Sequence, residues 1–461
     1  MCGIYAYISK YNINEYQNGD FIKQRGPDNT ETTLVLPNVQ FTFHRLKIND
    51  LSDAGNQPIK YKDVTVMCNG EIYNSNILKK EFPDVDFLST SDCEVLPYLY
   101  YRYGFQKMLE KLDGVFAIIL CDTFQNNIYI GRDPFGVRPM FFGRNEDCIE
   151  IASELKGCQL SADVIQLPAG SFTIINACTL QYENPAQWYN LNINSIQCSY
   201  KDACILVKST FENAVLKRLM SDRPVGCLLS GGLDSSLVCS IVSHEFKKTG
   251  KGQLKTFSVG FKGSTDLVNA RVVAEYIQSD HHEILLTEEA FLNAIPEVIE
   301  TIESYDITTV RASVGNYLVG KYIKENTDIT VVFNGDGSDE VAGGYLYMKN
   351  APSSIAFHNE CVRLLNEIQY FDVLRSDRSI SSKWSLESRT PFLDKSFVNA
   401  YLSMPLEYRN TNKIEKCLLR DAFSQSNLLP QSILWRKKEA FSDGVSSTQN
   451  SWHNVIKNHV D

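Results

Sequence analysis

The sequence is poor in the arrangements that hold structural metals or mark secretion. Its thirteen cysteines are scattered, no two form a CxxC pair, and His281 and His282 lie far from any of them. A zinc site of the usual ligand spacing is therefore not expected. An odd cysteine count without a secretion signal fits free thiols in a reducing compartment. The opening MCGIYAYISK has neither a basic start nor a long apolar stretch, so no signal peptide is expected and the cytoplasm is the expected location. No run of about 18 apolar residues occurs, so no membrane partner or span is expected. Positive charge is also short: 45 Lys and Arg stand against 55 Asp and Glu, a net charge of −10. Such a chain repels phosphate backbones, which argues against a nucleic-acid partner. There is no fixed-period repeat, no low-complexity tract and no GxxxxGK[ST] phosphate loop.

What is present is ordinary globular material. The 461 residues are 43% hydrophobic and 22% charged, enough for two or three domains with sizeable cores. Short apolar or alternating runs fill the first 185 residues, among them VTVMC (64–68), VFAIIL (115–120), NIYIGR (127–132) and SFTII (171–175). Turn clusters such as DAGNQP and RDPFGVRP separate them, which predicts an antiparallel, β-rich domain with few helices. The polar, irregular stretch 183–199 reads as a linker. Beyond it the texture changes. Residues 200–220 have helical apolar spacing, and PVGCLL, KTFSVGF, HHEILL and TVVF read as strands with helical stretches between them. Strand–helix alternation predicts a parallel sheet with helices on both faces, whose ligands bind beyond the carboxyl ends of the strands.

Two glycine turns fall at those ends. The first, SGGLDSS (230–236), follows an apolar strand and opens a helix. Its glycines let the backbone approach a phosphate, and the helix start offers unpaired N–H groups. Ser230, Ser235 and Ser236 add hydroxyls. Asp234 is an anion in an anion cradle, a conflict that a bridging Mg²⁺ removes. The second turn, NGDGSDE (334–340), crowds Asp336, Asp339 and Glu340 beside two glycines. Such crowding is costly without a cation, and Asp339 could share the metal of Asp234. The plainer alternatives are a strand-to-helix turn with incidental serines and a helix cap with acidic first-turn residues.

Taken in order, RGPD (25–28), HRL (44–46), GNQP, NGEIYN (69–74), SDCEV (91–95), RDPFGVRP, ASELKG, SGGLDSS, SVGF, ESYDITTVRAS, GDGSDEVAGGYLYMKNAP, LESRTPFLD, IEKCLLRDAF and WRKKEAFSDGV resemble the glutamine-dependent asparagine synthetase family along nearly the whole chain. The resemblance implies two domains joined by a linker at 186–199. Residues 2–185 would form an N-terminal-nucleophile hydrolase sandwich, a class II glutamine amidotransferase, and residues 200–461 a doubly wound parallel sheet of the ATP-pyrophosphatase type. Cys2, made N-terminal by loss of Met1, would attack the glutamine carboxamide. Its own α-amine, with a pKa of about 7.7–8.0, can take the thiol proton. Asn69 and Gly70 would supply oxyanion donors. Arg45, Leu46, Ile48, Asn49, Glu71 and Asp92 would complete the glutamine site.

In the second domain the resemblance implies that ATP contacts Leu229, Ser230, Gly231, Gly232, Asp234, Ser235, Val259, Asn334 and Gly335. Mg²⁺ would be held by Asp234 and Asp339, and aspartate by Thr308, Thr309 and Arg311. Lys416 and Asp336 would be catalytic. The implied reaction joins aspartate to AMP as β-aspartyl-AMP, releasing pyrophosphate, and ammonia from glutamine then displaces AMP to give asparagine. Members of the family often dimerise, but no interface is readable here. Three positions depart from the family's pattern: Asn334 stands for a serine, Asp336 for a glutamate about 1–1.5 Å longer in reach, and Gln24 for a histidine. A related enzyme that prefers ammonia, or a regulatory member without turnover, is the alternative these departures leave open.

Overall fold

A computed structural model describes residues 1–191, 193–411, 414–439, 444–446 and 452–460. The chain divides into two compact units, Met1–Asn190 with Ser381–Ser385, and Leu191–Ile380 with Leu386–Asp461.

The first unit is built on two six-stranded antiparallel sheets. One has the spatial order Asp163–Gln166, Phe141–Arg144, Cys148–Ala152, Gly3–Ser9, Val39–Arg45, Asn29–Leu36. The other runs Ala186–Gln187, Ser171–Asn176, Asn127–Arg132, Gly114–Asp122, Val64–Ile72, Ile59–Tyr61. Period-2 alternation explains why the second sheet reads as unbroken apolar runs. In Gly114–Asp122, Ala117, Ile119 and Cys121 face the core between the sheets, with Ile4, Phe41 and Ile151. Phe116, Ile118 and Leu120 face a second core, with Leu99, Met108 and Leu109 of the helices Leu96–Tyr103 and Phe105–Lys111. The central strands are thus buried on both sides.

The stretch read as an irregular linker begins with structure. Ala186–Gln187 pairs with Ser171–Asn176, and the Trp188 indole donates to the Arg132 carbonyl at 2.9 Å. The buried tryptophan anchors a segment whose polar composition hid it. Asn192, also in that stretch, lies outside the described residues, as do residues 440–443 of the WRKKEAFSDGV segment.

In the second unit the described residues form a five-stranded parallel sheet. Its order is Asp280–Leu285, Lys255–Gly260, Val225–Leu228, Val331–Phe333, Glu387–Arg389. The helices Tyr200–Lys217, Leu233–Thr249, Thr265–Ile277, Glu288–Ile302 and Ile307–Asn326 precede or connect the first four strands. The strand order runs one way from Val225–Leu228 to Asp280–Leu285 and the other way from Val331–Phe333 to Glu387–Arg389. Right-handed crossovers running in opposite directions send their helices to opposite faces and open a crevice where the order reverses. Both glycine turns lie at that reversal, because Val225–Leu228 and Val331–Phe333 are neighbours. Glu387–Arg389 was not foreseen; three residues are too few for a periodic signal.

Candidate functional site

In the first unit the candidate residues come from four places: the start of Gly3–Ser9, the end of Val39–Arg45 with the loop after it, the end of Val64–Ile72, and the short helix Asp92–Val95. The half-buried Cys2 packs against the inter-sheet core, and its thiol donates to the Leu46 carbonyl at 3.7 Å. Alternation puts Met67 in that core and Cys68 on the opposite side, so Asn69 faces the core that Cys2 touches. Asn69 is fully buried, and among the described residues neither its amide oxygen nor its nitrogen has a hydrogen-bond partner. An orphaned amide of this kind is costly unless a ligand pairs with it.

Gly70 is required by space. A Cβ there would lie 2.1 Å from the Val115 carbonyl oxygen and 2.6 Å from Phe116 Cα, both backbone. Gly70→Ala should lower the stability of this unit by about 1–3 kcal/mol. A calorimetric melt checks this, and an unchanged transition would show that the strand pair shifts freely.

Arg45 is buried, and its guanidinium donates to the Ser52 carbonyl and the Asn56 amide oxygen, each at 2.7 Å, and to the carbonyls of Asn49 and Asp50. Among the described residues no carboxylate pairs with it, so its charge is available to an anion. Gly55 leaves room for it: a Cβ there would sit 2.3 Å from an Arg45 nitrogen. The Asn49 amide bridges Glu71 and Asp92, and Asp92 also accepts the Ile72 N–H at 2.6 Å. Leu46 and Ile48 are buried in the same loop. All eight candidate glutamine-site residues thus lie on neighbouring segments.

One residue here escaped the sequence reading. Arg25 donates to the Cys2 carbonyl at 3.0 Å and pairs with Glu154 at 2.6 Å, both side chains fully buried. It holds the backbone of the candidate nucleophile. The two partners sit in RGPD and ASELKG, but nothing in either segment says that they meet.

In the second unit the candidate residues line a cavity of about 400 Å³. Leu229, Ser230, Gly232, Asp234, Ser235, Val259, Asn334 and Gly335 line it, with Thr308, Thr309, Arg311, Asp336, Asp339 and Lys416. Gly231 is the exception. It has φ +72°, and its carbonyl accepts from Arg436 at 3.0 Å, so it shapes the turn instead of lining the cavity. The two glycine turns touch: a Cβ on Gly335 would lie 2.7 Å from the Ser235 nitrogen. The Ser230 and Ser235 hydroxyls are 3.0 Å apart at the start of Leu233–Thr249.

Charge is concentrated where the turns meet. The Lys416 ammonium contacts Asp234 at 2.7 Å, Asp339 at 2.6 Å and the Ser338 hydroxyl at 3.0 Å. Ser338 donates to Asp234 at 2.7 Å, and Lys438 reaches Asp339 at 2.5 Å. Burial pushes the Asp339 carboxyl up, but Lys416 and Lys438 overcome it and hold the group well below the usual carboxylate range. Burial, with Asp372 beside it, pushes Asp336 up to about 7 against the pull of Arg375. One Asp336 oxygen contacts Arg375 at 3.2 Å, and the other is buried. Arg375 also pairs with Asp372, which accepts the Gly337 N–H at 2.9 Å.

Asn334 is satisfied, donating to Ser388 at 3.1 Å and accepting the Asp336 N–H at 3.3 Å. The Thr309 hydroxyl donates to Asp306 at 2.8 Å as part of a helix cap, and Thr308 is exposed. The Arg311 carbonyl accepts the buried Trp452 indole at 3.1 Å. Arg375 and Asp372 were missed because their segment carries no motif of its own. Lys438 and Arg436 stood in plain view in WRKK but without a partner to give them meaning.

Residues 206–357 and 349–460 match the asparagine synthase family, and residues 1–187 match the glutamine amidotransferase domain. The glutamine-hydrolyzing asparagine synthetase of Cricetulus griseus is 42% identical over 494 residues, covering 100% of this chain and 87% of its own. The chain belongs to the asparagine synthase family. The Homo sapiens protein of the same name is 41% identical over 493 residues, with the same coverage, 100% of this chain and 87% of its own. Solved structures give only a remote likeness: a B. subtilis glutamine phosphoribosylpyrophosphate amidotransferase covers 62% of this chain and 91% of its own at 14% identity and TM-score 0.34.

Proposed function

We propose that the chain makes L-asparagine from L-aspartate, ATP and glutamine-derived ammonia. The first domain, residues 2–185, is the glutaminase; the second, 200–461, is the synthetase; residues 186–199 join them. The observation that carries this reading is the convergence of both glycine turns with Asp234, Asp339, Asp336 and Lys416 in one cavity.

In the glutaminase, loss of Met1 frees the α-amine of Cys2, which takes the thiol proton. Met1 is 1% exposed, so its removal also opens buried space beside the nucleophile. The thiolate attacks the glutamine carboxamide, and the Asn69 amide with the Gly70 N–H stabilises the oxyanion. Arg45 binds the substrate carboxylate, and Glu71 and Asp92 bind its ammonium end.

In the synthetase, Ser230, Gly232 and Ser235 cradle the phosphates. Asp234 and Asp339 fit a magnesium ion: they are hard oxygen ligands whose carboxylates already converge on one ammonium. The ion would offset phosphate charge when bound. Lys416 then turns to the phosphates and stabilises the charge leaving with pyrophosphate. Thr308, Thr309 and Arg311 hold aspartate, whose β-carboxylate attacks the α-phosphorus. Asp336, which lines the cavity, serves as the base for ammonia attack on the acyl adenylate. We also assign the chain to the cytoplasm, which its thirteen free cysteines suit, and expect a homodimer.

The test supplies purified protein with aspartate, ATP and Mg²⁺ plus glutamine or ammonium, and measures asparagine, AMP and pyrophosphate. All three form in equal amounts. Removing divalent cation with EDTA stops their formation but leaves glutamine hydrolysis running. Failure to form asparagine from either nitrogen source would refute the reading.

A further inference from the structure

A second concentration of positive charge in the synthetase unit lies outside the cavity lining. Arg409 ends the short helix Leu406–Arg409, which packs against Ser354–Glu367, Lys395–Ser403 and Cys417–Phe423. It is 2% exposed. Its Nη1 donates to His358 Nδ1 at 2.8 Å and to the Leu402 carbonyl at 3.2 Å. A guanidinium only donates, so this ring nitrogen accepts and His358 is neutral. Burial, with Arg409 beside it, also pushes the His358 ring down.

The other edge of the guanidinium is open. Nε–H and one Nη2–H point the same way, as a two-pronged fork. Both nitrogens are buried and, among the described residues, meet no oxygen or nitrogen acceptor. The Cys361 thiol beside them is a weak acceptor, and burial pushes it up to about 11, so it brings no negative charge. The guanidinium carbon lies 5.7 Å from the centroid of the Tyr401 ring. The Tyr401 hydroxyl is also buried and has no hydrogen-bond partner among the described residues. Burial pushes this phenol up, so it stays protonated.

A buried cation is costly unless an anion pairs with it. The carboxylates of the four helices are placed elsewhere. Glu360 and Glu367 pair with Arg363 at 2.7 and 2.5 Å. Asp421 accepts the Tyr200 hydroxyl at 2.5 Å, and Glu407 is exposed. Three donors and a full positive charge are thus left together without an acceptor of opposite sign.

We propose that the open edge of Arg409 and the Tyr401 hydroxyl bind a small monovalent anion, a chloride ion. A monatomic anion accepts from all three donors at one point. A phosphate would bring more charge than one guanidinium offsets, His358 being neutral. The ion would tie Leu406–Arg409 to Lys395–Ser403, beside the helix that starts directly after Lys416. This site is separate from those of the proposed function and does not rest on it.

The experiment melts the full-length protein in sodium bromide and in sodium gluconate at equal ionic strength, bromide standing for chloride. The wild type should melt about 1–3 °C higher in bromide, and the difference should saturate as bromide rises. Arg409→Met, similar in length and uncharged, should melt alike in the two salts. Crystals grown in bromide should show an anomalous scattering peak beside Nε and Nη2 of Arg409. If Arg409→Met does not fold, Tyr401→Phe loses only the hydroxyl and should raise the bromide concentration at half-saturation about 5–10-fold. Equal melting of the wild type in both salts overturns the proposal. So does an undiminished bromide effect in Arg409→Met, the mark of a general salt effect, an unchanged half-saturation in Tyr401→Phe, or an anomalous peak only elsewhere. Stabilisation by formate and not by bromide would make the ligand a carboxylate and overturn the assignment to a halide.

Discussion

Cys2→Ala abolishes asparagine formation from glutamine, a loss of at least about 10³-fold, and leaves formation from ammonium within about twofold of wild type. The asymmetry follows from chemistry. Without the thiol no acyl-enzyme forms, so no ammonia is released, and neither Asn69 nor Arg45 can substitute for a nucleophile. The synthetase cavity contains no residue of the first unit and keeps its substrates and charges. The measurement is steady-state asparagine production with each nitrogen source, alongside the intact mass of the protein. Equal loss with both sources would contradict separate sites. A retained Met1 in an active enzyme would contradict the N-terminal amine as base.

The second large effect is at Asp336. Asp336→Asn lowers synthesis from either nitrogen source by about 10²–10⁴-fold at pH 8, the range expected for a positioned base. The pH dependence carries the sign. Burial and Asp372 raise this carboxyl to about 7, so below that value it is protonated and as uncharged as the asparagine that replaces it. The ratio of wild-type to variant rate should therefore be small near pH 6, rise through about 7 and level off above it. Taking the ratio cancels the ionisation of ammonia. A ratio flat from pH 6 to 9 would show that Asp336 does not act through its charge. The same shift makes a stability statement. A carboxyl raised in the folded state contributes stability that is fully present below its unfolded value and is lost as pH rises through about 7. Asp336→Asn should accordingly melt no lower than wild type at pH 8, which separates lost chemistry from lost fold.

The account was legible in the sequence to the extent that chemistry lay in short segments. Long apolar runs such as 115–120 read correctly as strands because a strand between two cores must be apolar on both faces. The glycine turns at 230–236 and 334–340 were visible as separate cradles. That Gly335 touches Ser235 depends on two strands being neighbours at a reversal of sheet order, which no local pattern encodes. Arg25 and Glu154, Asp336 and Arg375, and Lys438 and Asp339 are pairs made by the fold across long stretches of chain. Each reads alone as an ordinary charged residue. Asp336 runs the other way. Its shortened side chain suggested a weakened site, and the structure adds that the carboxyl is buried and raised to about 7.

The central claim is that aspartate is activated by adenylation in the cavity formed by the two turns. Aspartate labelled with ¹⁸O in its β-carboxylate tests it directly, with the AMP product analysed by mass spectrometry. If the carboxylate attacks the α-phosphorus and ammonia then displaces AMP, each AMP carries one labelled oxygen taken from aspartate. AMP formed without label, alongside asparagine, would contradict an acyl adenylate and with it the roles assigned to Lys416 and Asp336.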